Sequence, residues 1–312
     1  MTKCENAQNS SITKIHKNFD YIRKSDNRKN RKDTKMLVRQ SKNTFIRFWD
    51  GCGYIINQMT RHDRMYNETG ADFLQEISRK PQSIDEIVER LQTLYGDSVP
   101  AEKLRNDFTE FVSDLAAHLF LVTGETEEEL NEKDMDFSYS MENPKTLADD
   151  FTQENTPSVL NYTQDYVLEA TQRHPRLNGI QFELTSRCNE RCIHCYIPNQ
   201  KKNEGADMPI EKVKSILDEF AALGGLHVTL SGGEVFMHKD IIRIMQYCRE
   251  KDMQISILSN LIALKDVQIP FIKAANVSLI QTSLYSMDPA IHDFITTVPG
   301  SFEKTKVAIE KL

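Results

Sequence analysis

No run of apolar residues in this 312-residue chain approaches the roughly 18 needed to span a bilayer, which excludes a transmembrane helix within it. No secretory signal is visible, because the first residues are polar and charged throughout. Positive charge is not in excess: 39 Lys and Arg stand against 46 Asp and Glu, a net charge of −7. That balance argues against nucleic acid or an anionic membrane as the main partner. Cysteine is scarce, six in all. In a chain of cytoplasmic character these read as ligands or buried thiols rather than disulfides. What is present is ordinary for a soluble globular protein: 39% hydrophobic and 27% charged residues, with length enough for two domains.

Residues 1–42 are polar, with a basic run from Arg23 to Lys42. They read as a solvated, disordered tail rather than a peptide- or nucleic-acid-binding arm. Order is expected from Thr44. "TFIRFWDGCGYIINQMT" alternates around an Asp-Gly-Cys-Gly turn, a hairpin pairing Thr44–Asp50 with Tyr54–Met59, and "RMYNET" adds a short third strand. Three helices follow, at Gly70–Ser78, at Ser83–Leu94 behind a Ser83/Glu86 capping box, and at Ala101–Leu119. The result is a small winged-helix-like α+β domain over residues 43–123. Residues 124–160 read as an acidic linker, since Gly124–Asn155 holds eleven acidic residues against two lysines. A helix at Asn161–Arg173 leads into a second domain, residues 161–312.

That second domain is α/β. Strands are expected at Gly179–Thr185, His227–Ser231, Gln254–Leu258 and Val277–Leu284. They are interleaved with helices at Pro209–Leu223, Asp240–Lys251 and Val267–Ala274, and a further helix starts after Ser301. Gln181, Glu183 and Thr185 share one face of the first strand, and Gln281 and Ser283 one face of the fourth. A polar inner face favours a wide or partial barrel over a packed one. Four strands do not close such a barrel, and "VAIEKL" stops inside an amphipathic pattern, so the expectation is the N-terminal portion of a longer protein.

Cys188, Cys192 and Cys195 follow the first strand with the spacing C-x3-C-x2-C. Thiolates are soft ligands that select iron–sulfur clusters, zinc or copper(I). Three cysteines on a four-iron cluster leave one iron open to an outside ligand. Zinc is the alternative, with His194 as fourth ligand.

"CNERCIHCY", including Tyr196 after the last cysteine, resembles the cluster motif of radical S-adenosylmethionine (radical SAM) enzymes. The resemblance implies that the three cysteines hold a [4Fe-4S] cluster whose open iron chelates S-adenosylmethionine. "LSGGEVF" is similar to the family's Gly-Gly-Glu motif, with Val235 where proline is usual; it implies that Gly232, Gly233 and Glu234 shape the site for the methionine end of the cofactor. "LSN" places Asn260, and "QTSLYSMDPAIHD" places Ser283, where the family contacts the ribose, although Tyr285-Ser286 replace the usual Asp-Gly. A reductant such as flavodoxin or ferredoxin is implied as a partner. The remaining cysteines, Cys4, Cys52 and Cys248, lie far apart and suggest no auxiliary cluster of the SPASM or twitch kind.

The first domain resembles the precursor-peptide recognition element of ribosomal-peptide maturation enzymes, similar to the small PqqD chaperone of pyrroloquinoline quinone biosynthesis. The resemblance implies a leader peptide that adds a strand at Arg64–Thr69 and packs on the helix Ala101–Leu119. DNA binding by the winged helix is disfavoured, because that helix carries Glu102, Asp107, Glu110 and Asp114 against only Lys103 and Arg105. The expected function is a cytoplasmic radical SAM peptide maturase. The alternatives are a radical SAM enzyme on a small molecule or protein, and a non-catalytic peptide-binding fragment.

Overall fold

The computed structural model describes residues 36–49, 51–139, 177–200, 202 and 207–312. The expected helix at Asn161–Arg173, Cys4 and most of the basic segment lie outside these residues. The first unit begins with a strand, β1 (Leu37–Gln40), earlier than the sequence suggested. Its burial alternates, with Val38 and Gln40 inside. It pairs antiparallel with β5 (Gln82–Ser83) on one side and β6 (Leu121–Gly124) on the other. The basic run concealed this strand because the partner of Arg39 is remote: its guanidinium reaches the buried Asp134 at 3.0 Å. Asp134 also accepts from Ser41 Oγ and the Lys42 N–H. So the first part of the acidic segment is not linker but structure. Thr126 caps a short helix that runs over Glu127–Lys133, and Asp134 at its end pins down the turn after β1.

The hairpin forms as its alternation dictates. β2 (Thr44–Trp49) and β3 (Cys52–Asn57) pair with Thr44 opposite Asn57 and Trp49 opposite Cys52, and β4 (Asp63–Tyr66) adds to β3. Gly51 turns the hairpin at φ +74°, where glycine is unstrained. The sheet order β2-β3-β4 leaves β4 at an edge. Helices α1 (Glu68–Gln75), α2 (Ile84–Tyr95) and α3 (Ala101–Ala117) bury Phe73, Leu74, Ile87, Leu91, Leu104, Phe108, Val112 and Leu115 in one core with Val38 and Ile55. The expected capping box does not form: the Ser83 side chain makes no cap bond, because Ser83 is drawn into β5 opposite Leu37.

The second unit is a four-stranded parallel sheet of order β10-β9-β8-β7: β7 (Gly179–Glu183), β8 (His227–Ser231), β9 (Gln254–Leu258) and β10 (Leu279–Gln281). One face carries Phe182, Val228, Leu230, Ile255 and Ile257. It is covered by Val213, Leu217 and Phe220 of α4 (Ile210–Ala222), Ile241, Ile244 and Met245 of α5 (Ile241–Glu250) and Ile272 of α6 (Ile269–Ala274). Cys248 is a fully buried core thiol on α5. The other face is polar. Gln181, Thr229 and Ser256 lie in one register row, and Gln181, Glu183, Gln281 and Ser283 are exposed, as an open inner surface requires. Two helices complete the unit, α7 (Pro289–Thr296) and α8 (Ser301–Lys311).

The two units meet at the N-terminal ends of the parallel strands. Arg47 on β2 donates to the carbonyls of Gly225 and Asp252, and Arg79 pairs with the Asp252 carboxylate. Arg249 donates to Lys42 O at 2.7 Å, and the Phe45 ring lies between the Arg79 and Arg249 guanidiniums at 5.5 and 5.2 Å. Asn276 Nδ2 reaches Lys42 O and Asn43 Oδ1, and Gln58 returns a bond to Asn276 O. Asp252 and Asn276 stand in the loops before β9 and β10 with φ of 55° and 54°, a left-handed geometry that short polar side chains tolerate.

Candidate functional site

The opposite, C-terminal ends of the strands carry the site, the usual location for chemistry in such sheets. The chain leaving β7 is stitched to the turn after β8 backbone to backbone: Gly233 N donates to Thr185 O at 2.7 Å and Glu234 N to Arg187 O at 2.8 Å. A Cβ on Gly232, which has φ +143°, would stand 2.5 Å from Thr185 O. One on Gly233 would stand 2.7 Å from Ser186 O and closer still to Arg187 O. The two glycines are therefore required by the cysteine loop itself, whatever else they approach. Arg187 secures the same loop through Asp207, at 2.6 and 3.0 Å, and through Met237 O.

Cys188 is buried, and its sulfur accepts from Glu190 N at 3.4 Å and from Asn260 Nδ2 at 3.8 Å. Cys192 is half-buried and donates to Glu190 Oε2 at 3.2 Å. Cys195 is half-buried, with its N–H bonded to Cys192 O. Burial pushes the Cys188 thiol up, and burial with the adjoining Glu190 pushes Cys192 up to about 12. Burial raises the Glu190 carboxyl as well. Lys202, 1% exposed, donates to the Glu190 carbonyl at 3.0 Å. The far side of the loop rests on the end of α7: Arg191 N and Ile193 N donate to Thr296 O and Ile295 O, and Thr297 Oγ1 donates to Arg191 O.

Among the described residues no three His, Cys, Asp or Glu side chains are grouped to hold a single metal ion. His194 turns instead to Tyr285, edge to face at 4.8 Å. Three thiols spread along one loop suit a polynuclear cluster, which takes its thiolates at separate iron corners. The buried Asn189 Nδ2, between Cys188 and Glu190 in the chain, has no partner among the described residues, a donor left over for an anionic guest. Donor set and orphaned donor both fit an iron–sulfur group held by Cys188, Cys192 and Cys195.

Glu234 is fully buried and wholly committed. Oε1 accepts from Phe236 N and Ser259 Oγ, and Oε2 accepts from Asn260 N at 2.8 Å. Burial raises its carboxyl despite these donors. It braces the Gly-Gly-Glu turn against the loop after β9. Tyr196 is largely exposed and donates to Glu183 Oε2 at 2.8 Å across the mouth of the polar face. Ser283 is exposed on that face. Sequence reasoning missed Glu190, Lys202 and the bracing helix α7. The signal for α7 was present: Asp288 before Pro289 is an N-cap followed by proline at the first helical position, and Asp288 Oδ1 does accept from Ala290 N. Nothing in the sequence marks Lys202 as buried.

In the first unit, β4 is the edge away from the strand that meets the parallel sheet. Tyr66 on β4 packs edge-on against Phe111 of α3 at 5.0 Å, and Arg64 pairs with Asp114. Edge strand and helix thus lie side by side.

Residues 182–312 match the Radical SAM superfamily, and residues 60–121 match coenzyme PQQ synthesis protein D (PqqD). The chain therefore places a stretch similar to PqqD ahead of one similar to the Radical SAM superfamily. It is 30% identical over 138 residues to the AdoMet-dependent heme synthase of Methanosarcina barkeri, covering 44% of this chain and 39% of that protein. It is 31% identical over 132 residues to the antilisterial bacteriocin subtilosin biosynthesis protein AlbA of Bacillus subtilis, covering 42% and 29%. The chain thus spans less than half the length of these relatives. The crystal structure of Streptococcus suis SuiB bound to precursor peptide SuiA shares the fold, with a TM-score of 0.51 at 16% identity, over 88% of this chain and 54% of that one. No helix among the described residues is long and apolar enough to cross a membrane.

Proposed function

We propose that this protein is a radical SAM peptide maturase that recruits a ribosomally made precursor through the PqqD-like unit. The observation that carries the reading is the pairing, in one chain, of an unpartnered β4 edge bordered by α3 with a three-cysteine loop over an open, polar sheet face. A leader peptide would extend the β2-β3-β4 sheet by main-chain hydrogen bonds and set its side chains against Tyr66 and Phe111. Cys188, Cys192 and Cys195 would hold a [4Fe-4S] cluster. Gly232, Gly233 and Glu234 would shape the pocket for the methionine end of S-adenosylmethionine, with Ser283 toward its ribose and Tyr196 at the mouth. When bound, these groups supply a 5′-deoxyadenosyl radical that takes a hydrogen atom from substrate. The protein's own part is to hold the precursor close, raising the local concentration of its core segment, and to orient it over the polar face. A flavodoxin- or ferredoxin-type reductant in the cytoplasm would supply the electron.

The test replaces Cys188, Cys192 and Cys195 together by alanine. The triple variant, purified without oxygen, should lose iron and brown colour yet bind a leader peptide encoded beside it as tightly as the parent. Zinc in the parent protein, or leader binding lost with the iron, would overturn the reading.

A further inference from the structure

The sequence places Asn260 at the ribose, but every polar group of that residue is already engaged within the protein. Its peptide N–H goes to Glu234 Oε2 at 2.8 Å, and its carbonyl accepts from Thr305 Oγ1 at 3.0 Å. Its Oδ1 accepts from Ile262 N at 3.0 Å, which fixes which end of the amide is oxygen. The two hydrogens on Nδ2 face Asn189 Oδ1 at 3.1 Å and Cys188 Sγ at 3.8 Å, and the Glu190 carboxyl is a further acceptor beside them. An asparagine side chain offers two donor hydrogens, and both are committed within the protein, so Nδ2 has nothing left to donate to a nucleoside hydroxyl.

We infer that Asn260 is a positioning residue for the iron–sulfur group, acting through Cys188 and Asn189 rather than donating to the nucleoside. The inference rests on the maturase reading for the presence of the cluster. Its physical content is separate. An N–H donated to a ligating sulfur stabilises the extra negative charge of the reduced cluster and so raises its reduction potential. The bond to Asn189 Oδ1 clamps the residue next to Cys188 in the chain. Glu234 and Thr305 hold Asn260 from behind, so the loop after β9 and helix α8 bear on the cysteine loop through one side chain.

The experiment uses the full chain, reconstituted with iron and sulfide without oxygen, as parent, Asn260→Ala and Asn260→Asp. Three quantities are read: the midpoint potential by EPR-monitored titration, the rate of iron loss to a chelator, and S-adenosylmethionine binding by equilibrium dialysis. Both variants should shift to lower potential, Asn260→Asp the further, and lose cluster affinity by about 10- to 100-fold. Cofactor affinity per loaded cluster should hold at the parental value. Unmoved potential and iron loss, with weakened cofactor binding, would overturn the inference in favour of a nucleoside contact. Should circular dichroism show that neither variant folds, Asn189→Ala carries the test. It should speed iron loss while leaving the Asn260–Cys188 bond, and hence most of the potential, intact; an unchanged rate of loss counts against the clamp. A parent chain that takes up no four-iron cluster defeats the maturase reading itself, whereas a normal cluster with an unmoved potential defeats this inference alone.

Discussion

The two ends of the parallel sheet are built on different principles. At the N-terminal ends, Arg47, Arg79 and Arg249 converge on Asp252 and on main-chain carbonyls, and Asn43, Gln58 and Asn276 complete a seam of side chain to backbone bonds. At the C-terminal ends backbone to backbone bonds from Gly233, Glu234, Arg191 and Ile193 carry much of the stitching, and the buried Asn189 Nδ2 has no partner among the described residues. Both ends keep buried polar atoms in hand, Gln58 Oε1 and Arg249 Nη1 in the seam and Asn189 Nδ2 in the cysteine loop; the difference lies in charge, since three guanidiniums meet one carboxylate in the seam and three thiols line the loop. The charged seam joins the two units, and the thiols stand at the opposite end of the sheet.

The sharpest way to break the contrast is at Gly233. Its alanine variant must push the Ser186 and Arg187 carbonyls away, at a cost of about 3 kcal/mol. We expect a lower midpoint in denaturant melts and a chain that takes up little iron, with leader binding retained. Asp252→Ala attacks the other end. It leaves Arg47 and Arg79 without their carboxylate in a partly buried seam, a loss of about 2 kcal/mol after allowance for solvent. Amide exchange should quicken around Asn43 and Asn276 while iron uptake is unchanged; if iron uptake falls equally, the two ends are not independent. The smallest effect sharpens the account of the loop's support. Asp293 caps the turn from α7 to α8, and the N–H groups of Phe302 and Gly300 hold its carboxyl below the usual range. A depressed carboxylate stabilises fully above its unfolded value of 3.8 and loses that contribution as pH falls through the lower, folded value. The stability gap between parent and Asp293→Asn should therefore be widest above pH 3.8 and close in stronger acid, as followed by thermal melts.

Much of this was legible. β8 and β9 have the expected bounds, because their alternate residues Val228 and Leu230, Ile255 and Ile257 are the ones buried under the helices. The hairpin β2–β3 was set by alternation around Gly51, and the polar inner face by Gln181 and Glu183. What escaped depends on partners distant in the chain. β1 looked like a charged tail until Asp134, 95 residues away, neutralised Arg39. Ser83 had the pattern of a helix cap but was claimed by a strand. β10 ends at Gln281, short of the expected Leu284. Among site residues, spacing singled out the three cysteines, and the resemblance supplied the role expected of them. The role of Glu234 was not plain, since three donors and complete burial are facts of folding that no motif displays.

The separation of the two ends also sets a ruler. A five-residue strand such as β7 spans about 17 Å. A precursor anchored on the unit at one end and presented to the loop at the other must cover at least that length, about five extended residues. Positions nearer the anchor than this are geometrically shielded, so for the proposed enzyme the counting of residues, as much as their identity, decides which side chain arrives beneath the cysteines.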